Sequence, residues 1–301
     1  MQTAMSRTSQ LCRKVALACL VILGYPIPAL IGNDTVINVR CPELTESSGL
    51  AVSRVNPTYF WTHNDSGGEP KLFALNQQGD YVGSILLKDA GAVDWEDVAT
   101  FQHAGENWIM IADVGDNAAK RKSVDLYFIK EPDPTRHHRL TPAYRMTIRY
   151  PDGSRDCEAV AVDTNQGQIV FVTKSFLPAA SVYTAPLPSL DALGEEKSAK
   201  VTLEKHGTLA IPLVSAMDID AEKGDIVLVN YFQCFWYRSG EKATPWAWIS
   251  QLPEITELPK LKQIEAVALT SEREVWVTSE GNPAKLTRVR TLTSKPPLVT
   301  E

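Results

Sequence analysis

From Asn33 onward, apolar and polar residues alternate with a period of two, and short fully apolar runs interrupt the alternation. Gly, Pro, Asn and Asp separate these runs, and a helical period of 3.6 residues is almost absent. A period of two places successive side chains on opposite faces of a strand, and the residues between the runs favour tight turns. The pattern therefore predicts an all-β protein.

One pair of strands recurs five times along the chain. The first strands are SSGLAVS (47–53), WEDVAT (95–100), CEAVAV (157–162), AMDIDA (216–221) and IEAVAL (264–269). The second strands are YFWTHND, NWIMIADVGDN, QIVFVTKS, DIVLVNY and EVWVTSEG. Aligned on Gly49, Asp97, Ala159, Asp218 and Ala266, the first strands are 48, 62, 59 and 48 residues apart. This spacing is typical of β-propeller blades with loops of variable length.

Third and fourth strands complete the repeats. The fourth strands are predicted at YVGSILL, AYRMTIRY, AKVTLEKH and PWAWIS, and PSLDALGEEKSA (188–199) is the one helical segment, in a loop. The fifth repeat ends after its third strand, so the N-terminal segment DTVINVRC is predicted to close the ring and remove an exposed sheet edge. We predict a single propeller domain of five four-stranded blades over residues 33–301. Six blades are the main alternative, and a β-sandwich is the other.

The N-terminus has the features of a secretory signal. Arg7, Arg13 and Lys14 precede an apolar run that is short for a membrane span and contains Pro26 and Pro28. We predict a signal peptide at residues 1–32, export to the periplasm or the medium, and no membrane span after cleavage. Cys41, Cys157 and Cys234 then remain, either as one disulfide and a thiol or as three buried thiols.

The net charge of the chain limits the classes of molecule that it is expected to bind. The full chain has a net charge of −6, and residues 1–32 contain three bases and no acid, which leaves about −9 on the mature chain. An excess of acid disfavours nucleic acids and anionic membrane surfaces as partners. We expect a monomer that binds a small molecule or a protein at one end of its channel.

Three glutamates recur near the start of the first strands, which line the channel of a propeller. The position before the aligned residues is occupied by Ser48, Glu96, Glu158, Met217 and Glu265. Two charges about 8 Å apart repel by about 2 kcal/mol at an effective dielectric constant near 20. Either some of these carboxyls are protonated or a cation lies between them. Oxygen ligands without a His or Cys cluster favour Ca²⁺, with Mg²⁺ as the alternative.

The ends of the second strands add further oxygen ligands. Asn64, Asp113 and Asn230 lie there and are candidate metal ligands together with the three glutamates. No EF-hand spacing is present. The alternative is that these Asp and Asn side chains only cap turns.

Three other side chains are candidates for chemistry at the same end of the channel. His63 lies where the second strand of the first blade meets the top surface and is a candidate general base, because the ordinary pKa of histidine is close to neutral. Glu158 is the second candidate catalytic residue. Arg155 and Lys174 are candidate ligands for a phosphate or carboxylate, or counterions of the acids. His63 has the alternative of a hydrogen bond within a turn. Motifs of serine hydrolases, zinc peptidases, P-loops and dinucleotide sites are absent.

The strings SSGLAVS, WTHNDSGG, DWEDVA, DVGDN, YPDGSRDCEAV and IEAVAL resemble, as a group, a largely uncharacterised family of secreted bacterial β-propeller proteins. The layout is also similar to gluconolactonase/regucalcin-like and esterase-like phytase propellers, in which a Glu with Asn and Asp residues binds a catalytic cation. This resemblance implies Glu96 or Glu158, Asn64, Asn230 and Asp113 as ligands. The lactonases have six blades, and five are predicted here.

Two functions follow from the sequence. The first is a metal-dependent hydrolase of a small ester, lactone or phosphoester, in which the cation polarises the substrate oxygen. The second is a non-catalytic module that binds a protein or a glycan, because a propeller fold does not determine function.

Overall fold

The computed structural model describes residues 35–190, 197–239 and 246–291, so the predicted signal peptide at 1–32 lies outside the described residues. Regular structure in these ranges consists of strands and one 3₁₀ turn at Ala247–Ser250. The strands are β1 (Val36–Asn38), β2 (Ser47–Val52), β3 (Tyr59–Asn64), β4 (Lys71–Asn76), β5 (Tyr81–Leu87), β6 (Trp95–His103), β7 (Glu106–Asp113), β8 (Val124–Lys130), β9 (His137–Leu140), β10 (Tyr144–Arg149), β11 (Cys157–Asp163), β12 (Gln168–Thr173), β13 (Ala180–Pro186), β14 (Ser198–Thr202), β15 (Glu204–Leu209), β16 (Ala216–Ile219), β17 (Ile226–Val229), β18 (Gln233–Tyr237), β19 (Glu254–Glu257), β20 (Ile264–Leu269), β21 (Glu274–Ser279) and β22 (Lys285–Thr291).

The strands form five sheets, each of which is one blade of a propeller. The blades are β2–β5, then β6, β7, β8 and β10, then β11, β12, β13 and β15, then β16–β19, and finally β20–β22 with β1. The first strands contact one another in the closed order β2, β6, β11, β16, β20 and back to β2. The prediction of five blades is therefore confirmed, and the six-bladed alternative is wrong.

The N-terminal strand closes the ring, as the sequence predicts. Strand β1 pairs antiparallel with β22, with Val36 opposite Thr287 and Asn38 opposite Lys285. The fifth sheet thus contains the two ends of the described chain.

Two outer strands were not predicted, and one predicted strand is divided. Strand β9 extends the first blade parallel to β5, and β14 extends the second blade parallel to β10. The segment AKVTLEKH, predicted as one fourth strand, forms part of β14 and of β15, which belong to different blades. Leu203 lies between the two strands and is buried in the apolar cluster between the second and third blades, so the chain changes blade there.

The segment PWAWIS is not the fourth strand of the fourth blade. Its last four residues, Ala247–Ser250, form the 3₁₀ turn, and β19 takes the fourth place in the sheet. The Trp246 ring stacks on His206 at 4.2 Å between centroids, and Trp248 packs edge-on against Tyr237 at 5.2 Å. Because these rings pack against other strands, the chain joins the sheet of the fourth blade only after the turn, where β19 pairs with β18. Part of the segment predicted as helical, 188–199, lies outside the described residues, and its end at Ser198–Ala199 is in β14.

The apolar core lies between the blades. Five clusters of buried apolar side chains occupy the five junctions between neighbouring blades. Trp61 and Phe171, for example, are wholly buried. Because the core is distributed around the ring, the channel is left to the first strands and their polar side chains. The three described cysteines are buried thiols without a disulfide.

Candidate functional site

Three of the first strands begin with a β-bulge, and the bulged residue is a glutamate each time. In β6, Trp95 pairs with Asp113 and Asp97 with Ala112, which leaves Glu96 without a partner. Glu158 in β11 and Glu265 in β20 have the same position. A bulge bends the strand and redirects its side chain. The three glutamates are buried at the end of the channel where the first strands begin, which we call the mouth.

The first blade has a glycine at the bulge, so the register predicted for that blade was wrong by one residue. Ser48 pairs with His63 and Leu50 with Thr62, which makes Gly49 the bulged residue. Gly49 has φ of +72°, and a Cβ atom there would lie 2.5 Å from His63 Nε2. Only glycine is compatible with this backbone conformation and this contact.

The register predicted for the fourth blade was wrong by two residues. The N–H groups of Met217 and Val160 both donate to Asp97 Oδ2, so these two residues share one level of the channel. Val160 lies two residues beyond Glu158, and Met217 therefore lies below the glutamates. A bulge adds one residue to a strand, and an alignment by spacing alone does not detect it.

Three aspartates join two of the glutamates in a continuous acidic site. Oxygen atoms of Asp65, Asp94 and Glu96 lie within 4.8 Å of one another, and so do those of Glu96, Asp156 and Glu158. Glu96 belongs to both groups. We call these five residues the acidic site.

Asp94 and Asp156 are members that sequence reasoning missed, although a signal for them exists. Each lies two residues before its glutamate, in the strings DWE and DCE, and the fifth blade has QIE at the same place. Residues two apart on a strand share a face. The repeated pattern of an acid or amide, any residue and a glutamate therefore marks the mouth better than the glutamates alone.

Gly115 provides the space that these carboxylates occupy. It follows β7 in the string DVGDN, and its N–H donates to the Asp94 carbonyl at 3.1 Å. A Cβ atom at this position would lie 2.1 Å from Glu96 Oε1 and 2.6 Å from Asp94 Oδ2. The acidic ends of the hairpin formed by β6 and β7 thus meet over a glycine, and a larger residue there would displace their carboxylates.

Burial and mutual repulsion raise the pKa values of the acidic site. Burial is the larger cause for Asp65, whose pKa is raised to about 7, with the nearby Asp94 charge as the second cause. Burial followed by the charge of Glu158 raises the pKa of Glu96 well above its usual range. Burial raises the pKa of Glu158 to about 8, although the Lys174 ammonium lowers it. Burial also raises the pKa of Asp94 and of Asp156.

Lys174 and Tyr231 connect the acidic site to Glu265. Lys174 Nζ contacts Glu158 Oε1 and lies 5.2 Å from the centre of the Tyr231 ring. The Tyr231 hydroxyl donates to Glu265 Oε1 at 3.3 Å, and Gln263 Nε2 donates to the same oxygen at 3.1 Å. Glu265 is therefore at the mouth but has protein donors of its own. Tyr231 was not among the predicted site residues.

Two of the predicted metal ligands use their side chains to bind backbone groups of loops. Asn64 Oδ1 accepts the N–H groups of Thr45 and Glu46, and its amide donates to the Glu43 carbonyl. Asn230 Oδ1 accepts the N–H groups of two residues that follow it, and its amide donates to the Pro212 carbonyl. Neither amide is in the acidic site.

Asp113 supports the acidic site from behind. Its Oδ1 accepts the N–H of Asp94 at 3.2 Å and a bond from Arg121 Nη2 at 2.8 Å, while Oδ2 accepts the N–H of Val93. Asp113 is buried and its oxygens have these partners. It therefore fixes the loop that carries Asp94 and lies outside the two carboxylate groups.

His63 lies below the mouth, and Arg155 lies to one side of it. The His63 ring is fully buried, packs edge-on against Trp95, and has a pKa lowered by burial to about 4. Its Nδ1 contacts the Asn64 carbonyl at 3.0 Å. Arg155 forms an ion pair with Asp152 at 3.0 Å. Of the predicted ligand-binding pair, the structure brings Lys174 and not Arg155 to the acidic site.

The acidic site fits a hard divalent cation. Glu158 is 4% exposed, and its Oε2 is buried without a hydrogen-bond partner, as is Asp65 Oδ1. Buried polar atoms normally have a partner, because an unsatisfied carboxylate oxygen costs free energy. The donors are all carboxylate oxygens, which Ca²⁺ and Mg²⁺ prefer.

The opposite end of the channel contains a cavity of about 290 Å³. Arg54, Asp218 and Asp220 contribute to its lining. The carboxylates of Asp218 and Asp220 accept backbone N–H groups there. Because these carboxylates already accept backbone hydrogen bonds, they are less available to a ligand than the carboxylates of the acidic site. The mouth therefore remains the candidate site.

Within the described ranges, no helix has the length and apolar character needed to span a bilayer. No protein-family model and no curated protein matches the chain. A solved structure titled "Structure of U3-55K" aligns with a TM-score of 0.38 and 12% identity, over 81% of this chain and 68% of that chain. A likeness this distant supports no conclusion about function.

Proposed function

We propose that the mouth of this propeller binds a divalent cation, Ca²⁺ in preference to Mg²⁺. The observation that carries the proposal is the pair of three-carboxylate groups that share Glu96, with Glu158 Oε2 buried and without a partner. Asp65, Asp94, Asp156 and the two glutamates would hold the cation.

Charge balance supports a cation over protonation alone. Five carboxyls, of which Glu96 and Glu158 are buried and the three aspartates half-buried, face one ammonium group, that of Lys174. Two carboxylates about 5 Å apart repel by about 3 kcal/mol at an effective dielectric constant near 20. A divalent cation offsets this repulsion. Ca²⁺ accepts irregular sets of six to eight oxygens, whereas Mg²⁺ requires near-octahedral geometry.

The proposed activity is hydrolysis of a small ester, lactone or phosphoester at this site. A bound cation would polarise the carbonyl or phosphoryl oxygen of the substrate. Lys174 would orient an anionic group of the substrate, and the ionised Glu158 carboxylate beside it would accept a proton from water. His63 has no part in this proposal, since its ring is enclosed below Gly49.

The first experiment is thermal and urea unfolding of the EDTA-treated protein, titrated with Ca²⁺ and with Mg²⁺. A cation at one hundred times its dissociation constant should stabilise the fold by about 2.7 kcal/mol. Glu96→Gln and Glu158→Gln should abolish the saturable shift. Glu222→Gln, an exposed carboxyl at the other end of the channel, should leave it unchanged. If neither ion stabilises the natural protein, the proposed cation site is rejected.

The second experiment separates the enzyme from a binding module. A panel of small esters, lactones and phosphoesters is assayed with Ca²⁺ present, for the natural protein and for Glu158→Gln. Turnover that disappears in Glu158→Gln supports the hydrolase. A cation-dependent shift without turnover on any class favours the non-catalytic module that binds a protein or glycan.

Export remains a proposal that rests on Arg7, Arg13, Lys14 and the apolar run after them. The N-terminal sequence of the protein recovered from the periplasm or medium tests it. A mature chain that begins near residue 33 is expected, and retention of the full chain inside the cell would contradict it.

A further inference from the structure

Exposed apolar side chains lie in three loops at the mouth. Among the described residues, seven large apolar side chains are exposed, and four of them lie in loops at this end of the channel: Val93, Phe176, Leu177 and Phe232. Each is within three residues of a mouth residue, namely Asp94, Lys174 or Tyr231. Phe176 is 89% exposed, Leu177 67% and Phe232 63%. Exposed apolar surface rimmed by polar residues marks ligand-binding sites, and these side chains border the polar residues of the mouth.

Three of these side chains belong to two neighbouring loops that meet at Lys174. Phe176 and Leu177 follow β12 in the third blade, and Phe232 lies between β17 and β18 in the fourth. The rings of Phe232 and Tyr231 are 6.2 Å apart, and Lys174 Nζ lies over the Tyr231 ring. The two loops are therefore joined through the same ammonium group that contacts Glu158.

The first of these loops is held by hydrogen bonds. The N–H of Leu213 donates to the Ser175 carbonyl at 2.7 Å, and the N–H of Leu177 donates to Ser175 Oγ at 3.2 Å. Phe176 and Leu177 are thus presented to solvent by a fixed backbone.

We propose that the ligand of the mouth is a small amphiphile, with a carboxylate or ester head group at the acidic site and Lys174, and an alkyl or aryl group against Phe176, Leu177 and Phe232. This inference rests on the proposed function and adds the class of substrate. Three side chains offer far less than the roughly 800 Å² per partner that a stable protein interface buries. Their place beside Lys174 and a cation instead matches a ligand with one anionic or carbonyl end and one apolar end.

The test uses carboxylates of increasing chain length as probes: acetate, butanoate, hexanoate and octanoate. Their affinity for the Ca²⁺-loaded protein is measured by isothermal titration calorimetry. Full burial of a methylene group is worth about fourfold in affinity, so half-burial on this surface should give about twofold for each added methylene. Affinity that does not change from acetate to octanoate would overturn the inference.

Two variants locate the apolar contact. Phe176→Ser and Phe232→Ser are expected to remove most of the chain-length dependence and to leave the affinity for acetate unchanged. Both side chains are exposed, so the fold should tolerate the changes. Leu252→Ser is the matched control, because Leu252 is 97% exposed at the opposite end of the channel. Equal loss of octanoate affinity in Leu252→Ser would mean non-specific binding and would also overturn the inference.

The Ca²⁺ titration by thermal unfolding separates this inference from the proposed function. A saturable Ca²⁺ shift with no dependence on chain length rejects the amphiphile and keeps the cation site. The absence of any Ca²⁺ shift rejects the cation site. If octanoate still binds and Phe232→Ser removes that binding, the apolar contact is retained, with Lys174 as the group that holds the carboxylate.

Discussion

The carboxylate of Asp97 accepts a hydrogen bond from the backbone N–H of Val160 at 2.9 Å. The same oxygen accepts the N–H of Met217 at 3.3 Å, and the other oxygen accepts the N–H of Val98 at 2.9 Å. One buried side chain therefore joins the first strand of the second blade to those of the third and fourth. Asp218 repeats the arrangement towards the fifth blade, since its Oδ2 accepts the N–H of Leu269 at 2.8 Å.

Asp97→Asn is expected to destabilise the fold by about 1–3 kcal/mol, because the amide would turn a donor towards a buried backbone N–H. Urea unfolding at pH 7 measures the change. Glu222→Gln, which alters an exposed carboxyl, should change the free energy of unfolding by less than about 0.5 kcal/mol. An Asp97→Asn protein as stable as the natural one would mean that these bonds do not hold the blades together.

Cation binding is expected to tighten as the pH rises from 6 to 8. The pKa values of Asp65 and Glu158 are raised to about 7 and 8, so the cation-free site holds protons in this range. A cation binds the ionised carboxylates and must displace those protons, so the apparent affinity should rise by up to about tenfold per pH unit for each proton released. Calorimetry in two buffers of different ionisation enthalpy counts the protons. A dissociation constant independent of pH would contradict the assignment.

The cation-free protein should show the opposite trend in stability. A carboxyl whose pKa is higher in the folded state favours folding while it is protonated, and this contribution is lost as the pH rises through the folded value. For Asp65, Glu158 and Glu265, whose pKa values are raised to about 7, 8 and 7, the loss is completed between about pH 7 and 8. Urea unfolding in EDTA should therefore give a lower free energy at pH 8 than at pH 6. Saturating Ca²⁺ should restore it, and equal values in EDTA at the two pH values would count against repulsion in the site.

The sequence was sufficient for the fold because each blade repeats one strand pattern and because the N-terminal strand had a single place to pair. It was less informative wherever packing overrides local pattern. Trp246 and Trp248 pack against His206 and Tyr237, and this contact converts a predicted strand into a 3₁₀ turn. Spacing along the chain does not reveal such contacts.

The site was predicted in part for a related reason. Glu96 and Glu158 stand at equivalent places in the repeat, and the structure brings them together. Asn64 and Asn230 also end second strands, but their amides are used by adjacent backbone groups, which the residue type alone does not indicate. The polar residue that distinguishes the mouth is the one two positions before each bulged glutamate.

Gly115→Ala is expected to weaken cation binding more than it weakens the fold. The new Cβ would lie 2.1 Å from Glu96 Oε1, so the carboxylates must move apart. We expect Ca²⁺ affinity to fall by at least about tenfold, which corresponds to about 1.4 kcal/mol. Gly68→Ala is the matched control, because no atom lies within 4 Å of the position of its Cβ. Unchanged Ca²⁺ affinity in Gly115→Ala would show that Glu96 is not a ligand.

Lys174→Met should destabilise the EDTA-treated protein in a pH-dependent way. The side chains alone of Lys174 and Glu158 are 14% and 5% exposed, and removal of one partner of a buried ion pair costs about 3 kcal/mol or more. The loss should be largest at pH 8 and smaller at pH 6, because Glu158 can take up a proton when the ammonium group is absent.

The double variant Lys174→Met/Glu158→Gln tests whether this loss comes from the pair itself. If the uncompensated carboxylate is the cause, its replacement by an uncharged amide should recover most of the stability, and the double-mutant cycle should give a coupling energy of about 1–3 kcal/mol at pH 8. The four proteins are compared by urea unfolding in EDTA. Additive effects of the two substitutions would show that Lys174 contributes through its packing on Tyr231 and not through the charge of Glu158.

Because both side chains border the acidic site, the same four proteins titrated with Ca²⁺ reveal how the charge of Lys174 limits cation affinity. Lys174→Met alone should bind Ca²⁺ more tightly than the natural protein at pH 8, since a divalent cation then faces the carboxylates without a competing ammonium group.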